Sequence, residues 1–145
     1  MQKSIIIGSD HGGFELKEFL VHHLKDNDYS VEDAGCYDTQ SVHYPVIAKK
    51  VASAVASGDF QQGILICGTG IGMSIAANRY KGVRAALCHD HFTARMSREH
   101  NDSNILVLGG RVTGTEVAKE MLDVWLSTAF QGGRHLERIS MFDTD

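Results

Sequence analysis

Short apolar runs alternating with amphipathic segments leave this chain few folds to choose from. Ser4 to Gly8, Tyr29 to Asp33, Gly63 to Cys67, Val83 to Leu87 and Ile105 to Gly109 read as five strands. They are nearly all apolar, the pattern of strands buried on both faces. Behind the first, Phe14, Leu16, Phe19, Leu20 and Leu24 recur at helical spacing. Val46, Ile47, Val51, Ala54 and Val55 stripe a helix over Tyr44 to Ala56, with Pro45 suited to its first turn. Further helices are expected over Ile71 to Asn78, from about His91 to Glu99, and along Val117, Ala118, Met121, Leu122 and Trp125. This alternation predicts βαβ units and an α/β fold, with a five-stranded parallel sheet covered on both faces. Right-handed crossovers favour the strand order 2-1-3-4-5.

A chain of 145 residues fits one domain, 1–145, large enough to bury a real core. No linker, repeat or low-complexity block interrupts it. The tail, about 131–145, differs from the rest. It carries Gly132, Gly133, Arg134, His135 and Arg138, and it is more polar than a docked core helix. It is expected to reach toward a partner subunit. A formal net charge of −4 and the lack of a basic tract argue against nucleic acid and against a membrane surface. Cys36, Cys67 and Cys88 are odd in number, far apart, and form no C-x-x-C pair. That disfavours a zinc ribbon or a dithiol and suits the reducing cytoplasm. Asp10 and His11 interrupt the apolar run after Ile7, so no signal-peptide pattern is expected, and no stretch is long enough to span a bilayer.

In parallel sheets of this kind, ligands bind beyond the carboxyl ends of the strands. Four polar clusters are expected there: Ser9 to Gly13, Cys67 with its glycine-rich loop, His100-Asn101-Asp102, and Gly109-Gly110-Arg111. Cys67 is the most informative residue. It ends a strand and opens a turn before a helix, beside unpaired N–H groups and the positive end of a helix dipole. That setting favours a thiolate and offers a hole for a developing oxyanion. Each cluster also has a bland reading. Cys67 as an inert core thiol, Asp10 as a helix cap, His11 as a loop residue and His100-Asn101-Asp102 as a helix stop are all sound chemistry. Arg134 and Arg138, one turn apart, suit either a phosphate or a solvated face. His89-Asp90-His91 lacks further ligands at metal-binding spacing, and His22 and His23 read as surface residues. The loop Cys67-Gly68-Thr69-Gly70-Ile71-Gly72 fits neither dinucleotide nor P-loop patterns, because Met73 replaces the third glycine and no Lys precedes Ser or Thr.

Several ordered motifs together resemble the ribose-5-phosphate isomerase B group, which includes the galactose-6-phosphate isomerase subunits. They are Gly8-Ser9-Asp10-His11-Gly12-Gly13-Phe14, Tyr44-Pro45, Ile64 to Ser74 followed by Asn78, Ala94 to Asn104, and Gly132-Gly133-Arg134-His135 with Arg138. The resemblance spans nearly the whole chain. It implies a Rossmann-like αβα sandwich and an aldose–ketose isomerase of phosphorylated sugars, without metal or organic cofactor. It also implies homodimers, sometimes paired into tetramers, whose active sites are shared between two subunits. One departure is His43, where relatives often carry Asp.

By resemblance, His100 opens the sugar ring, with Asp10 assisting, and Cys67 moves the proton between C2 and C1 through a cis-enediolate. The N–H groups of Gly70, Ile71, Gly72, Met73 and Ser74 form the expected anion hole. Thr69 and Asn101 bind sugar oxygens and Tyr44 contacts substrate. His11, Arg134 and Arg138 clamp the phosphate, with Arg111 a less secure fourth. Some branches of the family use a carboxylate base, and Cys67 puts this chain on the thiol branch. The leading expectation is interconversion of D-ribose 5-phosphate and D-ribulose 5-phosphate in the non-oxidative pentose phosphate branch. The alternatives are a six-carbon phosphate (allose or galactose 6-phosphate), a non-catalytic sugar-phosphate sensor, or a thiol redox protein.

Overall fold

Every second residue of the inner strands points to the same side, and both sides are apolar. The computed structural model describes residues 4–143, so Met1 to Lys3, and Thr144 and Asp145 of the expected tail, lie outside the described residues. The strands are β1 (Ser4–Ser9), β2 (Ser30–Asp33), β3 (Gln62–Cys67), β4 (Ala85–Leu87) and β5 (Ile105–Gly109). The helices are α1 (Phe14–Asp26), α2 (Tyr44–Ala56), α3 (Ile71–Ala77), α4 (His91–Glu99), α5 (Thr115–Ser127) and α6 (Arg134–Ile139), with a 3-10 turn at His11–Gly13. Ile5, Ile7, Ile64, Ile66, Leu106 and Leu108 pack against α1, α4 and α5. Ile6, Leu65, Cys67, Ile105 and Val107 face α2 and α3. The result is the expected αβα sandwich around a parallel sheet.

Packing rather than capping sets α1, α2, α3 and α5. Gly13, His43, Gly70 and Gly114 precede α1, α2, α3 and α5, and none provides a side-chain cap. A cap contributes about 1 kcal/mol, whereas each fully buried Leu or Ile contributes about 1.5–3 kcal/mol. The five buried side chains of α2 therefore outweigh its missing cap several times over.

The strand order is β2-β1-β3-β5-β4 rather than 2-1-3-4-5. The reason is burial. All five residues of β5 are buried, whereas β4 is three residues long and only half-buried. Ile105-Leu106-Val107-Leu108 needs cover on both sides and takes the inner place. Ala85-Ala86-Leu87 tolerates the edge. There the Asn78 side chain acts as a substitute neighbour, accepting from Ala85 N–H at 2.8 Å and donating to Ala85 C=O at 2.9 Å.

Beyond the carboxyl ends of the inner strands, three loops meet backbone to backbone. Asp10 N–H donates to Ile66 C=O, Gly110 N–H to Cys67 C=O and Arg111 N–H to Gly68 C=O. These contacts leave no room for side chains. A Cβ on Gly109 would stand 2.7 Å from Thr69 O, and one on Gly110 would stand 2.6 Å from Gly12 O. On Gly13 it would stand 2.6 Å from Ile66 Cγ2 and 2.7 Å from Ile66 O. Gly13→Ala is therefore expected to destabilise the fold by about 1–3 kcal/mol through overpacking. Urea unfolding of the two proteins measures this directly; equal midpoints would show that the loops separate at no cost.

Candidate active site

Cys67 ends β3 with its side chain turned toward α3, and the residue is 5% exposed. Its Sγ accepts from Gly70 N–H at 3.2 Å. Gly70 has φ +82°, a conformation glycine adopts freely, and a Cβ there would meet Leu87 and the Leu108 backbone. Thr69 Oγ1 accepts from Ile71 N–H at 3.2 Å, leaving its own hydroxyl proton free to donate.

The expected anion hole narrows on inspection. Gly70 N–H is committed to Sγ and Ile71 N–H to Thr69. Ser74 N–H closes the first helical bond on Gly70 C=O at 3.0 Å, so Ser74 is not a donor to ligand. Gly72 and Met73 have N–H groups without a partner among the described residues, as expected in the first turn of a helix. The Tyr44 ring lies over Gly72, where a Cβ would come within 2.5 Å of its Cζ.

The β1 loop contributes Asp10 and His11. Asp10 Oδ1 accepts from Gly12 N–H at 2.9 Å and Gly13 N–H at 3.2 Å. The capping reading of Asp10 is thus real, and it occupies one of the two oxygens. His11 Nδ1 accepts from Val42 N–H at 3.2 Å. Arg111 folds over Gly68, with Nη1 3.4 Å from where a Cβ would stand. Asp10, His11, Tyr44, Cys67, Thr69 and Arg111 therefore gather at the carboxyl ends of the strands.

His100, Asn101 and Asp102 do not join them. A helix that follows a parallel strand runs back along it and ends at the amino side of the sheet. His100 caps the carboxyl end of α4, and Asn104, four residues on, accepts from Gly63 N–H at the start of β3. Across β5 this places His100 and Cys67 roughly 15 Å apart along the strand direction, at about 3.3 Å per residue. The expectation that this cluster falls at the carboxyl ends of the strands is corrected by strand direction alone. Asp102 is structural. It binds Arg98 at 2.9 Å and Arg84 at 3.5 Å, beside a cavity of about 790 Å³ at the amino ends of the strands.

His100 has company that spacing alone does not reveal. The His135 ring stacks on it, with centroids 4.3 Å apart and planes 11° from parallel. Gln131 folds back onto Glu99 through backbone and side-chain bonds, carrying α6 to this end. Arg134 and Arg138 are exposed on α6, which buries no residue. A second cluster of His100, Asn101, Arg134, His135 and Arg138 thus forms at the opposite end of the sheet. His43 makes no capping bond. His22 is exposed, whereas His23 is only partly so and pairs with Asp123 at 2.6 Å. Asp90 caps α4 through Thr93, and among the described residues no group of three His, Cys, Asp or Glu is placed to hold a metal ion.

Comparison with known proteins adds the following. A family model described as ribose/galactose isomerase matches residues 5–142. Ribose-5-phosphate isomerase B of Escherichia coli is 47% identical over 94% of this chain and 92% of its own. D-erythrulose-4-phosphate isomerase of Pectobacterium atrosepticum is 42% identical over 90% and 86%. The crystal structure of a ribose 5-phosphate isomerase of Thermotoga maritima superposes with a TM-score of 0.96 at 52% identity, covering 99% of each chain.

The stacked pair has a measurable consequence. Partial burial, then the neighbouring His100, Arg134 and Arg138, disfavour the charged form of His135 and hold its pKa below the usual 6.5. An NMR titration should place His135 below that value. His100→Ala removes both the stack and one repelling ring, so the His135 midpoint should move up. An unmoved midpoint would show that the rings do not interact in solution.

Proposed function

This chain belongs to the ribose/galactose isomerase family, and on that premise we propose that it interconverts D-ribose 5-phosphate and D-ribulose 5-phosphate. The observation that carries this substrate is the 47% identity, nearly end to end, with the E. coli ribose-5-phosphate isomerase B. The site chemistry is compatible with it. Ring opening needs a proton moved from the C1 hydroxyl to the ring oxygen, which suits His100 assisted by the free oxygen of Asp10. The open aldehyde acidifies the C2 proton. Cys67, as thiolate, takes that proton and returns it to C1 while the O2 hydroxyl proton passes to O1. Charge on the enediolate is met by the unpaired Gly72 and Met73 N–H groups, each worth about 3 kcal/mol or ~10²-fold in rate. Thr69 and Tyr44 contact the sugar, and Asn101 holds its hydroxyls. His11, Arg134, Arg138 and Arg111 hold the phosphate and thereby fix C1 and C2 against the thiolate.

One chain supplies only half of this arrangement. We infer a homodimer in which Asp10, His11, Tyr44, Cys67, Thr69 and Arg111 of one copy meet His100, Asn101, Arg134 and Arg138 of the other. The separation of His100 from Cys67 within the chain supports this reading. So do the exposed apolar side chains of Val46, Ile71, Ile75, Leu136 and Phe142, each more than half exposed. The single domain 1–145 would then be half of each site, with the tail from about 131 as the part that crosses. Three free cysteines suit a cytoplasmic setting, and no helix among the described residues is long and apolar enough to cross a membrane.

Proton NMR in D₂O tests the reaction. Metal-stripped protein should convert ribose 5-phosphate to ribulose 5-phosphate with loss of the C2 proton signal, and Cys67→Ala should lose at least ~10²-fold in rate. Turnover of only four- or six-carbon phosphates would move the substrate, and no turnover at all would leave a sugar-phosphate sensor. Sharing is tested by co-expressing Cys67→Ala with His100→Ala. Each alone should be inactive, whereas random mixed dimers should recover about a quarter of the sites. No recovery would place both residues in one copy's site.

A further inference from the structure

One buried cation has no part in the chemistry above. Lys17 lies in the first turns of α1 and is 0% exposed. Its Nζ donates to Asp33 Oδ2 at 2.6 Å and to Glu18 Oε1 at 2.9 Å. The Phe14 and Tyr37 rings stand 5.3 and 5.9 Å from it. Burial disfavours the ammonium, but the two carboxylates outweigh that and hold its pKa above the ordinary value. An apolar side chain would fill the same space without desolvating a charge. The position of the cation therefore calls for a reason other than core packing.

That reason lies along a continuous set of contacts. Asp33 ends β2, and its second oxygen accepts from Gly35 N–H at 2.9 Å. Gly35 and Cys36 pair with Ser9 in both directions: Ser9 N–H donates to Gly35 C=O and Cys36 N–H to Ser9 C=O, each at 2.7 Å. Ser9 immediately precedes Asp10. Tyr37 O–H donates to Asp33 C=O at 3.1 Å, closing the turn on itself. The segment 34–43 holds neither helix nor strand, so these bonds are what position it. At its far end Val42 N–H donates to His11 Nδ1 at 3.2 Å. An imidazole nitrogen that accepts a hydrogen bond carries no proton. His11 is thereby kept as the Nε2–H tautomer, with Nε2 left to donate.

We propose that Lys17 is a positioning residue for His11: by pinning Asp33 it fixes segment 34–43, and that segment holds His11 in the Nε2–H form that donates to the substrate phosphate. The proposal rests on the reading of His11 as a phosphate contact. Lys17 itself touches no substrate. α1 follows directly on the His11–Gly13 turn, so the cation ties both sides of this corner to one rigid element.

The test combines long-range ¹H–¹⁵N spectra of the imidazoles with steady-state kinetics on Lys17→Met. Wild-type His11 should appear as the Nε2–H tautomer. In Lys17→Met the Nδ1–H form should appear beside it. KM for ribose 5-phosphate should rise on the order of tenfold while kcat stays within about threefold, the signature of uniform binding lost at a remote group. Circular dichroism and thermal melting check that the variant folds. If it does not, Asp33→Asn carries the same expectation, because that side chain is 30% exposed and its loss leaves no apolar void. A folded variant with the His11 tautomer unchanged overturns the proposal. His11→Ala is the control for the underlying reading: an unchanged KM there would remove His11 from the phosphate clamp, whatever the tautomer does.

Discussion

Three loops at one end of the sheet touch through their backbones, and they do so because Gly13, Gly109 and Gly110 have no side chains. Were any of the three a larger residue, the turns after β1, β3 and β5 would stand apart. The contact brings Asp10 and His11, Cys67 and Thr69, and Arg111 into one corner. It also extends the strand ladder past its formal ends, so the turns inherit the rigidity of the sheet. Reactive side chains here are carried on scaffold rather than on free loop, and the cost is a set of positions that tolerate no Cβ.

Strand direction imposes the second constraint. In a βαβ unit each helix returns to the edge from which its strand set out, so residues at strand ends and residues at helix ends face opposite ways. Cys67 belongs to the first class and His100 to the second. The tail then adds to the His100 side, through the Gln131 contact with Glu99 and the stacking of His135. The chain thus divides into an end that holds the thiol and its peptide donors, with His11 and Arg111, and an end that holds the stacked imidazoles and the Arg134 and Arg138 guanidinium groups. The proton shuttle on a phosphorylated sugar proposed above draws on both ends. Two copies arranged with opposite ends together would have it twice.

Much of this was legible in the residues. The five strands, α2 over Tyr44–Ala56, α4 over His91–Glu99 and β5 over Ile105–Gly109 follow from apolar periodicity, because doubly covered strands and one-sided helices leave distinct patterns. The β5/β4 exchange was hidden by length. Three residues at Ala85–Leu87 look like any short strand until burial shows which run needs the centre. The position of His100 was recoverable, since strand and helix directions alone send it to the amino side. The His135 stack and the Lys17–Asp33 link were not. One requires the tail to fold back across the end of α4, and the other joins residues whose spacing matches no local motif. The two-sided role of Asp10 falls between: the cap could be read from Asp-His-Gly-Gly, the unoccupied oxygen could not.

The exchange that puts β4 outside also decides how the sheet ends. An exposed strand edge invites another strand to add to it, and proteins blunt such edges by keeping them short or charged. β4 is three residues long, and the N–H and C=O of Ala85 are both already taken by Asn78. At the opposite edge β2 runs four residues and closes on Glu32 and Asp33. Among the described residues both borders are thus short, and each carries a feature that disfavours a templated neighbour. Strand addition from one molecule to the next is therefore disfavoured on both flanks, and helix faces and the tail are left as the surfaces on which copies could meet without propagating into fibres.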